Sequence, residues 1–274
     1  PDGTTSTYAG APGPPGYVDG TTSAARFAAP EGVAVDGAEM LYVADFGNCA
    51  IRKITAAGVV STLAGNPTDC TSNIGMAQFS GPTGLALDAS GNVYVADPNN
   101  EYLLKVTPAG VVTTLAGTMG VAGAMDGPAA SALFNQPYGV ATDSQGNVYV
   151  ADAANSTIRM ISTQGDVTTF AGATGMDGNV DGTGNAARFS RPVSLAFDLT
   201  GNLFVADYDY STIRQVSPAG VVTTAAGTPR LIGTAFGPLP GVMWPPLGIG
   251  VYPDPVGGKL VVAYAAAILT INSH

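Results

Sequence analysis

Residues 177–182 read Asp-Gly-Asn-Val-Asp-Gly, a stretch that sets oxygen-bearing side chains at alternate positions and closes on glycine. This is the pattern of the first half of a calcium loop, in which such oxygens converge on a hard cation. Asp177, Asn179 and Asp181 are therefore candidate ligands for Ca2+. The alternative is a hydrogen-bonded turn, because the twelfth position, where a calcium loop sets a bidentate Glu, is Arg188. Other chemistry is sparse. The single histidine, His274, is the last residue, which removes a His-based zinc site or acid–base pair from consideration. No Ser/His/Asp set and no phosphate-binding Gly loop stands in a usable context. The chain reads as non-catalytic in preference to an enzyme, and beyond Ca2+ no cofactor is indicated.

A second patch follows directly. Tyr208, Asp209 and Tyr210 lie in a turn expected on the same face as residues 177–182. Tyrosines beside a carboxylate form a surface suited to a sugar or a protein segment. Glu31 and Tyr138, each following a recurrent proline, are further binding candidates.

The elements that position these residues come from a repeat. Phe-x-x-Pro recurs with its proline at Pro30, Pro82, Pro137 and Pro192, and a fifth proline stands at Pro246, a period of 52 to 55 residues. An aspartate closes the second apolar run at Asp45, Asp97, Asp152 and Asp207. Arginines recur at Arg52, Arg159 and Arg214, with Leu104 in the second unit. Each unit holds four short runs rich in Val, Ile, Tyr and Thr, separated by Gly-containing hairpin turns. A meander of four strands cannot cover both its faces, so such units stack radially as the blades of a β-propeller. The expected fold is all-β, a single domain over 1–274 with five blades of four antiparallel strands. The fifth unit lacks a fourth strand, and residues 5–10 match the stretch 111–117, so the N-terminal strand is expected to complete the last blade and close the ring.

The run of Pro-x-Gly, Tyr-Val-Ala-Asp, a turn with Asn, Ile-Arg and Thr-Leu-Ala-Gly, followed by a long Asp-Gly loop, resembles the NHL-repeat family of β-propellers. The resemblance covers nearly the whole chain and implies the propeller fold. Related propellers such as gluconolactonases and peptide-amidating lyases hold a metal at the mouth of the central channel. A metal-dependent hydrolase or lyase of that kind is the alternative to a binding module. The matching positions here are Glu31, Thr83, Tyr138, Val193 and Leu247, which supply one carboxylate.

A side chain required in every unit is explained by a bond made in every unit. The recurrent Asp is expected to accept from the backbone of the following turn, and the recurrent Arg to pair with it or with the neighbouring blade. Asp36, Asp88, Asp143 and Asp198 are expected turn formers, Phe27, Phe79, Phe134 and Phe189 packing residues between blades, and Trp244 a core residue. Long connections from Gly10 to Phe27, Gly117 to Phe134 and Gly172 to Phe189 each span 17 positions and carry Asp19-Gly20, Asp126-Gly127 and Asp181-Gly182. The connection after the first unit has no Asp-Gly and contains Cys70. Cys49, the only other cysteine, lies in a turn returning to that face, so a Cys49–Cys70 disulfide is expected, with free thiols as the alternative. A bridge implies an oxidising compartment: extracellular, periplasmic or cell surface. A glycosylation sequon, Asn155-Ser156-Thr157, is expected in an exposed turn.

Composition limits the partners. A formal net charge of −10 argues against nucleic acid and anionic membrane, both of which need a basic footprint. The longest apolar run, residues 260–269, falls short of the ~20 residues a spanning helix requires. The expected role is a surface module that binds a protein or glycan ligand on its long-loop face, with self-association into a homo-oligomer or larger surface assembly as a related outcome.

Overall fold

The computed structural model describes residues 6–67, 70, 78–233, 241–252, 259–264 and 267–272. These form five antiparallel sheets, each built on a meander of consecutive strands. The innermost strands are Pro30–Val35, Leu85–Leu87, Pro137–Thr142, Pro192–Phe197 and Gly248–Tyr252. The second strands, Leu41–Asp45, Val93–Asp97, Val148–Asp152, Leu203–Asp207 and Lys259–Tyr264, run back antiparallel to them. In units two to four every residue of the second strand is buried, which is why these runs are continuously apolar up to their aspartate.

Consecutive sheets pack face to face, and four apolar clusters each join two of them. Tyr42, Ala44 and Ile51 of the first sheet meet Leu85, Val93 and Val95 of the second. Phe79, Phe134 and Phe189 are buried in such seams, as their spacing predicts. The inner strands approach closely because the repeat places glycine there: a Cβ on Gly32 would lie 2.0 Å from the Thr83 carbonyl oxygen, and one on Gly84 2.4 Å from that of Tyr138. The turn aspartates behave as expected, Asp88 Oδ1 accepting from the backbone N–H of Ser90 and Asn92, both at 2.9 Å.

Three features differ from the sequence reading. First, units one, three and four are five-stranded, because the Asp-Gly of the preceding connection returns as a two-residue strand on the outer edge: Gly20–Thr21, Gly127–Pro128 and Gly182–Thr183. Each connection thus belongs to the unit it precedes and covers an edge that would otherwise expose unpaired backbone groups.

Second, among the described residues the N-terminal residues 6–10 do not pair with the last sheet. Residues 6–10 form no strand, the Tyr8 hydroxyl lies 3.2 Å from the carbonyl oxygens of Thr55 and Ala56, and the Gly10 N–H donates to the Thr22 carbonyl at 2.8 Å. These bonds hold the segment on the first unit. The last sheet has three strands among the described residues, and Thr5 lies outside them. Third, Trp244 is 47% exposed rather than core.

Candidate functional site

The long connections and the turns between second and third strands share one face. The frame under that face is built from the recurrent charges. Arg52, fully buried, donates to Asp45 at 2.8 Å and to Asp19 of the returning connection at 2.6 Å. Arg159 bridges Asp152 at 2.8 Å and Asp126 at 2.5 Å, while Arg214 reaches Asp181 at 2.7 Å and Asp207 at 3.6 Å. Each guanidinium also lies over a seam phenylalanine, at 5.0 Å for Phe27 and Phe134 and 5.3 Å for Phe189. The expected Asp–Arg pairing is therefore present. The second carboxylate on each Arg was not foreseen, although a constant spacing of 33 residues from Asp to Arg carries the signal.

A buried amide completes the frame in three units. Asn48, Asn100 and Asn155 stand three residues after the recurrent Asp and donate to its carboxylate at 2.8, 3.3 and 2.8 Å. Asn155 also donates to the Gly123 carbonyl at 2.7 Å and is only 5% exposed, so the sequon is buried rather than displayed. In the fourth unit that position is Tyr210. Asp207 Oδ2 has no hydrogen-bond partner among the described residues, and burial pushes its carboxyl up to about 8 against the pull of the Ser190 N–H and Arg214.

The second unit lacks both the Asp-Gly and the Arg. Its connection is tied by the Cys49–Cys70 disulfide, with Cα atoms 5.5 Å apart.

Asp181 and Asn179 have partners other than a cation. Asp181 accepts from Arg214 and from the Thr224 N–H at 3.2 Å, while Asn179 Oδ1 accepts from the Thr212 hydroxyl at 3.0 Å. Burial works to raise the Asp181 carboxyl, yet bonds from Arg214 and Thr224 hold it below the usual range. Asp177 is exposed. Among the described residues no group of three or more His, Cys, Asp or Glu is placed to hold a metal. The repeat supplies the reason: Asp19 and Asp126 make the same bonds as Asp181, which marks it as a frame residue.

The binding candidates are partly brought together. The Tyr138 hydroxyl donates to Glu31 Oε2 at 2.6 Å, linking the starts of the first and third inner strands. Burial, and then this bond to Glu31, raises the Tyr138 phenol far above its ordinary value, with Arg191 opposing. Arg191, exposed, lies 4.9 Å over the ring of Tyr208. Asp209 is exposed, its N–H donating to the Ser190 carbonyl and its carboxylate accepting from the Ser190 hydroxyl at 3.3 Å. Tyr210 carries Arg230 at 4.7 Å over its ring, and Arg230 donates to the Tyr210 hydroxyl at 3.0 Å. Sequence reasoning missed both arginines. Charge balance over the whole chain hid them, although Arg230 stands where the corresponding turns have Gly120 and Gly175.

Comparison with known proteins agrees with this architecture. A family model described as NHL repeat matches residues 79–106 and 134–159. The chain is 31% identical over 266 residues to NHL repeat-containing protein 2 of Bos taurus, covering 81% of this chain and 36% of that protein. It is 30% identical over 227 residues to Teneurin-3 of Danio rerio, covering 72% of this chain and 8% of that protein. The chain thus spans well under half the length of these relatives. Among solved structures, one of a nidogen/laminin complex superposes with a TM-score of 0.62 at 16% identity, covering 89% of this chain and 75% of that one. That likeness shows the fold.

Proposed function

On the premise that this chain is an NHL-repeat β-propeller, we propose that it is a non-catalytic extracellular binding module that recognises a protein segment on its long-connection face. The observation that carries this reading is a cluster at the starts of the inner strands. Glu31, Tyr138, Arg191 and Tyr208, drawn from three units, combine aromatic surface with charged groups. Such combinations anchor protein interfaces, where Tyr and Arg supply most of the energy. The buried frame beneath holds these side chains on strand ends, so the site is rigid before any partner arrives. The disulfide supports an oxidising compartment. The lone carboxylate Glu31 is engaged by Tyr138, and this favours recognition over a metal-dependent hydrolase or lyase.

The test is to screen the wild-type chain, Tyr138→Ala and Tyr208→Ala against an array of secreted-protein ectodomains and a glycan array. Protein hits retained by Lys105→Gln on a remote strand and lost by both tyrosine variants are expected. Hits confined to the glycan array would replace the protein segment by a sugar. Silence on both arrays, with concentration-dependent assembly in the ultracentrifuge, would move the role to self-association.

A further inference from the structure

Two residues of the fourth unit break the repeat at a structural cost, and they stack on one another. Where the first three units place a buried Asn on the recurrent aspartate, the fourth has Tyr210, and Asp207 Oδ2 is left without a hydrogen bond among the described residues. A buried acceptor without a donor is destabilising. Where two other connections have Gly120 and Gly175 at φ 71° and 72°, this one has Arg230 at φ 60°. A side chain in that left-handed region is strained, whereas glycine is at ease there. The backbone bond of the turn is kept, Arg230 N–H donating to the Tyr210 carbonyl at 3.0 Å as Gly120 N–H donates to that of Asn100 at 2.8 Å. The substitutions therefore leave the turn in place and change only what it presents. Two costs accepted together on an exposed face, offset within the fold only by the contact of Arg230 with Tyr210, point to a ligand.

The same turn carries a second stack. Arg191 lies over Tyr208, two residues from Tyr210, and its guanidinium makes no hydrogen bond among the described residues. Arg52, Arg159 and Arg214 by contrast are buried and paired. The face of a chain of net charge −10 thus presents two exposed guanidinium forks, each held over a tyrosine adjacent in sequence to Asp209. A guanidinium fork matches a carboxylate through two parallel N–H donors.

We propose that Arg191 and Arg230 form a clamp for an acidic protein segment, one carboxylate seating on each guanidinium. Asp209, exposed and in sequence between the two stacked tyrosines, repels a carboxylate that comes beside it and so selects acidic side chains that are spaced apart. A chain with acidic side chains at intervals meets this requirement. The inference rests on the binding reading above and names the chemistry of its partner.

The experiment uses the full chain and a labelled decapeptide of alternating Glu and Ala, followed by fluorescence anisotropy, beside a Gln/Ala decapeptide and an oligogalacturonate. Arg191→Gln and Arg230→Gly are each expected to weaken the Glu/Ala complex about threefold to fivefold, as for exposed charge contacts. Salt should weaken it further, and Lys105→Gln should leave it unchanged. The double variant Tyr210→Asn with Arg230→Gly restores the repeat, so it should melt higher than wild type while losing affinity. A purely structural role for these residues would not raise stability and lower binding together. Equal binding of the Gln/Ala peptide, unchanged affinity in Arg230→Gly, or binding of the oligogalacturonate alone would each overturn the proposal. Should the Glu/Ala peptide fail while ectodomain hits still depend on Tyr138 and Tyr208, the acidic partner falls and the binding module stands. Failure of both removes both.

Discussion

The Tyr102 hydroxyl donates to the Gln78 carbonyl at 2.5 Å, and this bond does in the second unit what a guanidinium does in three others. Gln78 precedes the seam Phe79, just as Arg26, Leu133 and Arg188 precede theirs, and those three carbonyls accept from Arg52, Arg159 and Arg214 at 3.0, 3.0 and 2.7 Å. With Leu104 at the arginine position, the Tyr102 phenol two residues earlier on the same strand, Tyr102–Val106, bonds that acceptor. Removing the hydroxyl leaves the Gln78 carbonyl only the longer bond from the Asn100 amide at 3.2 Å, so Tyr102→Phe is expected to lose about 1 kcal/mol in denaturant unfolding. A midpoint equal to wild type would show that the phenol is mere filling.

Arg159 holds two carboxylates and the Leu133 carbonyl from a position 1% exposed. Truncating it strands Asp152 in the core, so Arg159→Met should cost about 3–5 kcal/mol. Adding Asp152→Asn removes the stranded charge and should recover part of that loss. Equal destabilisation in the single and double variants would refute the ion pair as the cause.

Asp97 is the recurrent aspartate without an arginine, and it is fully buried. Burial raises its carboxyl from 3.8 to about 6, opposed by the Ser80 N–H and by Asn100. Between those values the native state keeps a proton that the unfolded chain releases, so the contribution of Asp97 to stability falls as pH rises through this window. The shift of about two pKa units corresponds to about 3 kcal/mol. Asp97→Asn does not titrate, so its stability relative to wild type should improve by up to that amount from pH 4 to pH 7. Urea titrations at the two pH values measure it, and a constant difference would exclude a raised carboxyl.

The disulfide closes a loop with a sequence separation of 21 residues. Loop-closure entropy for that length amounts to about 3 kcal/mol. The double variant Cys49→Ser with Cys70→Ser should melt correspondingly lower, and the intact wild-type chain should weigh two hydrogens less than its reduced form. Labelling of both thiols without prior reduction would exclude the bridge.

Much of the architecture was legible before any coordinates. The period of the Phe-x-x-Pro prolines, the buried aspartates and the Cys49–Cys70 pair are local or periodic signals, and each corresponds to an observed element. Misreadings arose where a residue's role depends on a neighbour distant in sequence. Asp181 was read without its partner Arg214, which stands 33 residues away. The Asn155 sequon looks exposed until its amide is found on Asp152.

The order of residues alone was enough to specify a β-propeller of repeated units, because strand periodicity, turn glycines and seam phenylalanines act over short range and recur. Folding in three dimensions settled which charges are frame and which face outward. It buried Arg52, Arg159 and Arg214 between paired carboxylates and left Arg191 and Arg230 stacked on tyrosines at the surface. An arginine's chemistry follows from how deeply it is desolvated and from the partners that reach it, and both are set by contacts between units that no single stretch of sequence contains.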